Sequence, residues 1–260
     1  MSSVISPKAE ISPRAKIGDG CKIFPFVYIE DDVVIGDNCV IFPFVSILNG
    51  TRMGNGNKVY QGSVLAALPQ DFNFVGEKSE LIIGNNNVIR ENVVINRATH
   101  RGCKTVIGSD NFLMEGAHIS HDTVVGDRCV FGYGAKIAGD CVIDTGAVIS
   151  SNVVEKANTR VGSYAVVQAG TTFSRDVPPY IIAGGSPVGF HGVNTTIQNS
   201  AGVEEKILKH IANAYRLLFY GQTSVFDACI QIEQQVPSST EISNIIDFVR
   251  GTEVGIISKL

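Results

Sequence analysis

One spacing governs about two thirds of this chain. Every sixth residue from Ile5 to Phe173 gives 29 positions, and 25 are apolar, from Ile5, Ile11 and Ile17 through to Ile137, Ile143 and Ile149; only Asp71, Glu77, Arg101 and Glu155 depart. Four residues beyond each, the side chain is usually small or β-branched, as at Ala9, Val45, Ala117 and Thr123. Gly, Asn or Asp fills the phases between, in segments such as IGDGCK, IGDNCV and VGDRCV. An amphipathic helix repeats its apolar residues at intervals of three and four, so a strict period of six excludes it. Short strands joined by tight turns fit, with Gly, Asn and Asp supplying the turn conformations. A period sustained this long marks a repeat architecture, in which each unit buries its apolar side against its neighbours.

The phase lapses twice, near 66–82 (AALPQDFNFVGEKSEL) and near 101–106 (RGCKTV). Both are polar insertions that the repeat must expel as loops, and loops on a rigid scaffold are where function concentrates. The Gln70-Asp71 pair singles out the first. After Phe173 the segment SRDVPPYIIAGGSPVGFHGVN is rich in proline and glycine and reads as a linker. Helical periodicity follows. VEEKILKHIANAYRLLFY places Ile207, Ile211, Tyr215 and Leu218 on one face. SVFDACIQIEQQV is a second helix, and SSTEISNIIDFVR a third, entered through a capping box of Ser238 and Glu241.

Composition narrows the function classes. The 260 residues carry a formal net charge of −4 and no basic block, so nucleic acid is not expected as a partner. No signal peptide opens the sequence and no apolar run approaches the ~18 residues of a transmembrane segment, so the expected location is cytoplasmic. Four of the six cysteines, Cys21, Cys39, Cys129 and Cys141, share one phase of the repeat and are expected as small buried fillers. Cys103 and Cys229 lie outside the pattern.

The six-residue pattern resembles that of the hexapeptide-repeat acyltransferases. The resemblance implies a mainly β fold: a left-handed parallel β-helix of triangular section, with three hexapeptides to a coil. The expected organisation is a β-helix domain over 1–190, with loops near 66–82 and 101–106, and a small C-terminal α-helical domain over 191–260. With three hexapeptides to a coil, His121 should lie beside Gly139 and Asp122 beside Asp140. A histidine next to a glycine in the adjoining coil has room for a substrate and an exposed backbone N–H, the outline of a base with an oxyanion site.

The segment AHISHDTVVG nonetheless leaves three readings open for His118 and His121. A metal pair would need further ligands, and HxxH on a strand sends the two rings to opposite sides unless a corner intervenes. Two solvated surface histidines are another reading. Catalysis is the third, since an imidazole with a pKa near ~6.5 can take a proton from a hydroxyl at neutral pH.

From about residue 60 to 195 the chain resembles the acyl-ACP:UDP-N-acetylglucosamine O-acyltransferases, the first committed enzymes of lipid A synthesis. The resembling segments are PQDFNFVGE, VIRENVVINRAT, GSDNFLMEGAHISHDTVVGDRCV, RDVPPY and the GVN at 192–194. The resemblance implies His121 as the general base on the glucosamine 3-hydroxyl, Asp122 as its orienting partner and the Gly139 N–H as oxyanion donor. Gln70, Asp71, His118 and Asn194 match nucleotide-sugar contacts. Asp140 and Lys156 are expected among the substrate-binding residues, and no metal ligand is expected. The implied partners are UDP-N-acetylglucosamine and an acyl carrier protein bearing a 3-hydroxyacyl chain, the implied assembly is a homotrimer, and no cofactor is implied. Lys206, Lys209, His210 and Arg216 could receive the acidic carrier protein, or form a solvated face.

Departures from the family pattern accompany these matches. Asn73 stands where a lysine is common, Asn96 and Lys156 where histidines are, and Ser200-Ala201 where an arginine pair is. Ala98 and Ala169 replace frequent glycines. They keep an alternative open, a paralogue that binds nucleotide-sugar or carrier protein with weak or altered transfer activity. The related N-acyltransferase carries a uridine-binding domain ahead of its helix, for which a repeat that starts at Ile5 leaves no room.

Overall fold

Residues 2–259 are described in a computed structural model. Met1 and Leu260, the outer limits of the two expected domains, lie outside the described residues. The six-residue period folds as strands mostly two residues long, such as His118–Ile119 and Lys136–Ile137, separated by four-residue corners. Successive turns stack in parallel register three hexads apart: His118 opposite Lys136, Ile119 opposite Ile137, Val125 opposite Ile143. Three sheets of 12, nine and eight strands form the sides of the prism. The aliphatic residue of each strand points inward, and from Ile23 to Phe173 those of the regular coils are almost wholly buried.

Corners turn because the third residue after most aliphatic positions adopts positive φ. Asn38, Asn86, Asp110, Asp122, Asp140 and Asn158 lie there with φ between 57° and 61°. Asn and Asp tolerate this left-handed region better than other side chains, which explains their phase in the sequence. Cys21, Cys39, Cys129 and Cys141 are buried immediately ahead of strands, and each sulfur sits 3.2 Å from a carbonyl of the next coil. Burial raises the Cys39 and Cys129 thiols to about 11, so they are inert packing groups.

Both insertions preserve the phase. Val59 pairs with Ile89 and Ile89 in turn with Leu113, so one coil carries two hexads, and the next a single hexad, beyond the regular three. Asp71 and Glu77 lie in the longer insertion and Arg101 in the shorter, outside the prism wall. Glu155 alone among the four departures stays inside, 1% exposed between Ile137 and Phe173.

The segment expected as a linker is instead structured. Ile181–Gly184 joins the largest sheet in parallel with Val166–Val167 and turns back as the antiparallel strand Gly189–Val193. Its apolar residues Ile181 and Ala183 extend the buried face of the sheet, which a reading of proline and glycine alone overlooks. Among the described residues four helices follow: α1 Ile197–Ser200, α2 Glu205–Tyr220, α3 Val225–Gln235 and α4 Thr240–Arg250. The α4 N-cap is Ser239, whose hydroxyl accepts the Ile242 N–H, so the cap lies one residue past the expected Ser238 and the reciprocal box with Glu241 does not form.

Helices and prism meet through Tyr215, whose buried hydroxyl donates to the Pro179 carbonyl, and through Arg160. The Arg160 guanidinium lies 2.9 Å from Asp176, 4.3 Å from the centre of the Phe248 ring and 2.7 Å from the Phe248 carbonyl. Among the described residues no helix is long and apolar enough to cross a membrane. Asp176 is 1% exposed, so replacing Arg160 by methionine leaves a buried carboxylate without its cation. That variant should lose about 2–4 kcal/mol in urea unfolding at fixed protein concentration, with Asp176→Asn in the same background recovering part of the loss.

Candidate active site

His121 and Asp122 are consecutive, and on a regular strand they would point apart. The corner changes this. Asp122 takes φ 57°, and its carboxylate folds back so that Oδ2 lies 3.0 Å from His121 Nδ1. The same oxygen accepts the Thr99 N–H at 3.0 Å and the Thr99 hydroxyl at 2.7 Å, while the Asp122 N–H donates to Thr105 Oγ1. Asp122 is thus fixed from three sides and fixes His121. A carboxylate on Nδ1 selects the tautomer with its proton there and leaves the Nε2 lone pair free.

Nε2 faces the long loop. Asp71 Oδ2 is 3.7 Å away, beyond hydrogen-bond length, leaving a gap between the two. The loop is held by its own turn and at its base. Asp71 accepts the Asn73 N–H at 2.7 Å, and the buried Asn96 amide donates to the Leu68 carbonyl at 2.7 Å. Arg97 donates to Asn49 O and stacks over Phe74.

Gly139 lies against the imidazole. A Cβ built there would fall 2.7 Å from His121 Nε2 and 2.9 Å from Nδ1, so only glycine fits beside this ring. Its N–H is free as well. On a neighbouring corner of the prism the matching N–H groups are capped by a side chain of the next coil, Ser109 N by Asp127 and Asp127 N by Thr145. The matching residue after Gly139 is Ala157, which offers no acceptor, and among the described residues the Gly139 N–H has no hydrogen-bond partner.

His118 stands on the adjacent strand, in register with Lys136. Desolvation, with smaller contributions from Lys136 and His121, lowers its pKa and keeps it neutral. Asp140, next to Gly139, is raised, first by desolvation and then by Asp122. Gln70 is exposed on the loop, and Lys156 is exposed on the corner after Glu155. Asn194 is placed differently. It is 4% exposed, donates to the Tyr164 carbonyl and accepts from the Thr196 N–H and hydroxyl, so its side chain is spent within the protein. Among the described residues no cluster of three or more His, Cys, Asp or Glu could hold a metal.

Two contributors escape a reading of the sequence. Thr99 lies just ahead of the insertion expected near 101–106, in the coil with the extra hexad between the strands Val94–Asn96 and Lys104–Ile107, where counting three hexads gives no position, and Ala157 matters for the acceptor it lacks. The signal for Ala157 is its phase, one full coil after Gly139.

The arrangement can orient a neutral base and present a backbone N–H beside it. Comparison with known proteins adds to this geometry. Residues 176–257 match the family model "Udp N-acetylglucosamine O-acyltransferase; Domain 2", and residues 14–41, 32–67 and 104–139 match "Bacterial transferase hexapeptide (six repeats)". The chain is 36% identical to an acyl-[acyl-carrier-protein]–UDP-N-acetylglucosamine O-acyltransferase of Halorhodospira halophila, over 97% of this chain and 98% of that protein. It is 34% identical to its counterpart in Syntrophobacter fumaroxidans, over 97% and 99%. Among solved structures, a UDP-N-acetylglucosamine acyltransferase from Bacteroides fragilis 9343 superposes with TM-score 0.96 at 47% identity, covering 98% of this chain and all of that one. The counterpart from Campylobacter jejuni gives 0.91 at 26% identity, over 98% and 100%.

Since a methyl group at 139 has no space beside the ring, Gly139→Ala should swing the His121 imidazole out of hydrogen-bond reach of Asp122. A crystal structure of that variant is the check; an unmoved ring would mean the corner gives way instead.

Proposed function

The chain belongs to the family of acyl-[acyl-carrier-protein]–UDP-N-acetylglucosamine O-acyltransferases, and we propose that it moves a 3-hydroxyacyl chain from acyl carrier protein to the 3-hydroxyl of UDP-N-acetylglucosamine by direct attack, with His121 as general base. The observation that carries this reading is the His121 imidazole, oriented by Asp122 through Nδ1, with Nε2 and the Gly139 N–H both uncommitted beside it.

The sugar hydroxyl enters the gap at Nε2 and gives up its proton there as its oxygen attacks the thioester carbonyl carbon. The imidazolium that forms lies between Asp122 on Nδ1 and Asp71 at Nε2, two carboxylates that favour its charge. The Gly139 N–H donates to the carbonyl oxygen as it becomes an oxyanion, an interaction made strongest in the transition state. Collapse then expels the carrier thiol, which takes the proton back from Nε2. The sugar oxygen attacks the thioester itself and the leaving group is the thiol, so no acyl-enzyme intermediate forms.

Gln70, Asp71, His118, Asp140 and Lys156 serve the nucleotide-sugar, and Asn194 contributes by holding the end of the prism. Lys156 meets phosphate as a single point charge. The working assembly is a homotrimer in the cytoplasm, with each site completed in the cleft between neighbouring prisms. Its product feeds lipid A biosynthesis.

Transfer from a panel of 3-hydroxyacyl carrier proteins to UDP-N-acetylglucosamine tests this reading. His121→Ala should lower kcat by about 10²–10⁴, the usual worth of a positioned base, with UDP-N-acetylglucosamine binding retained in a thermal-shift titration. Binding without transfer from any donor in the unaltered protein would instead favour a binding paralogue.

A further inference from the structure

Glu155 is the one polar residue of the six-residue series that the prism keeps inside. Its side chain takes the position that Ile137 and Phe173 take in the neighbouring coils, and it is 1% exposed. One carboxyl oxygen, Oε1, lies 3.0 Å from Thr159 Oγ1; the other, Oε2, has no hydrogen-bond partner among the described residues. An aliphatic side chain would fill this place at no electrostatic cost, so the carboxyl calls for a reason.

Donor inventory gives one. The Thr159 hydroxyl carries a single proton, and the Lys156 carbonyl lies 2.7 Å from it, the closer acceptor. With that proton committed, the contact with Glu155 requires the carboxyl to donate, which a protonated acid does and a carboxylate cannot. Burial points the same way by raising the pKa of Glu155 well above its ordinary 4.5. The result is a directed chain from the Glu155 acid to the Thr159 hydroxyl to the Lys156 carbonyl, closing the turn 155–159 from within.

That turn is the neighbour of Gly139. The Glu155 carbonyl accepts the Ala138 N–H at 3.1 Å, and the Asn158 N–H donates to the Gly139 carbonyl at 3.2 Å. Cys141 Sγ bridges the same two corners, 3.2 Å from Lys156 O and 3.6 Å from Gly139 O. Main-chain bonds on both sides of Gly139 therefore end on the turn that Glu155 fastens. The same turn sets Ala157 opposite Gly139 and so leaves the Gly139 N–H uncovered.

We propose that Glu155, as a buried neutral acid, is a positioning residue for the Gly139 corner, acting through Thr159 and the 156–158 turn. The proposal rests on the acyltransferase reading for its effect on rate but not for its effect on the corner, and the test separates the two. Glu155→Gln keeps a donor toward Thr159, whereas Glu155→Val removes it and restores an aliphatic side chain. In hydrogen–deuterium exchange on the full-length protein, the Val variant should speed exchange at Asn158 and across 138–141, and the Gln variant should match the unaltered protein. In the transfer assay the Val variant should lose about tenfold in kcat with KM for UDP-N-acetylglucosamine unchanged, and the Gln variant should recover most of it. Unaltered exchange at these corners in a folded Val variant overturns the proposal, as does a Val variant with full kcat. If the unaltered protein transfers no acyl group, the functional reading fails while the exchange data still decide the role of Glu155.

A raised carboxyl also makes stability depend on pH. The folded protein holds the Glu155 proton after the unfolded chain has released it, so this contribution is full below about pH 4.5 and is lost as pH rises through the folded value. Asp176 and Cys141 are the ionisable groups that act on it. The Gln variant should gain Tm over the unaltered protein progressively as pH rises from about 4.5 toward the folded value. A constant difference across that range would argue for an ionised Glu155.

Discussion

The parallel register of one coil on the next, three hexads along the chain, is the constraint on which everything else in this structure depends. The strands of each coil bond through their main-chain N–H and C=O groups to the coils above and below, so no coil can shift along its axis without breaking a row of bonds on all three sides. The aliphatic ladder supplies the driving force, but it is indifferent to which Ile or Val stacks on which. Register is what converts sequence position into spatial position. It places Gly139 on His121 and Ala157 on Gly139, three coils deep, with no side chain required to reach far.

The insertions show how firmly the register is kept. A loop of any length can be ejected from a coil, yet these add two hexads and one hexad, and the strands on either side resume in phase. The physical reason is that a coil must return to the same corner before it can bond to its neighbour. Both inserted coils reach the histidine: one supplies Asp71 at Nε2, the other Thr99 at Asp122. The scaffold contributes the base and the backbone donor, and the inserted coils contribute the groups around them.

Legibility in the sequence follows this division. The period of six is visible residue by residue because every coil faces the same environment, and the spatial neighbours of His121 within the prism follow from counting three hexads along the chain. The hairpin of Ile181–Gly184 and Gly189–Val193 was hidden because it abandons the period while keeping the sheet, and its prolines and glycines imitate a linker. Thr99 was hidden for a related reason, since in a coil with an extra hexad it has no counterpart three hexads along from which its position could be computed. The pairing of His121 with Asp122 needed a corner that alternation along a strand does not provide. Positive φ at the third residue supplies it, and the Asn, Asp and Gly found at that phase throughout the repeat are its trace in the sequence.

The departures from the family pattern read differently once they are placed. Asn96 is wholly buried and binds the main chain at Leu68, so an asparagine there acts on the seating of the Gln70-Asp71 loop. Asn73 is exposed, and its N–H is held by Asp71 whatever its side chain, so the turn that presents Asp71 does not depend on it. Lys156 is exposed at the rim, one residue beyond the buried acid that fastens its turn. None of these three removes a partner of His121 within the chain. The changes fall on the outward positions and the loop, where a different side chain leaves the ladder intact, while the residues that meet the imidazole are fixed by register and by the want of space beside Gly139.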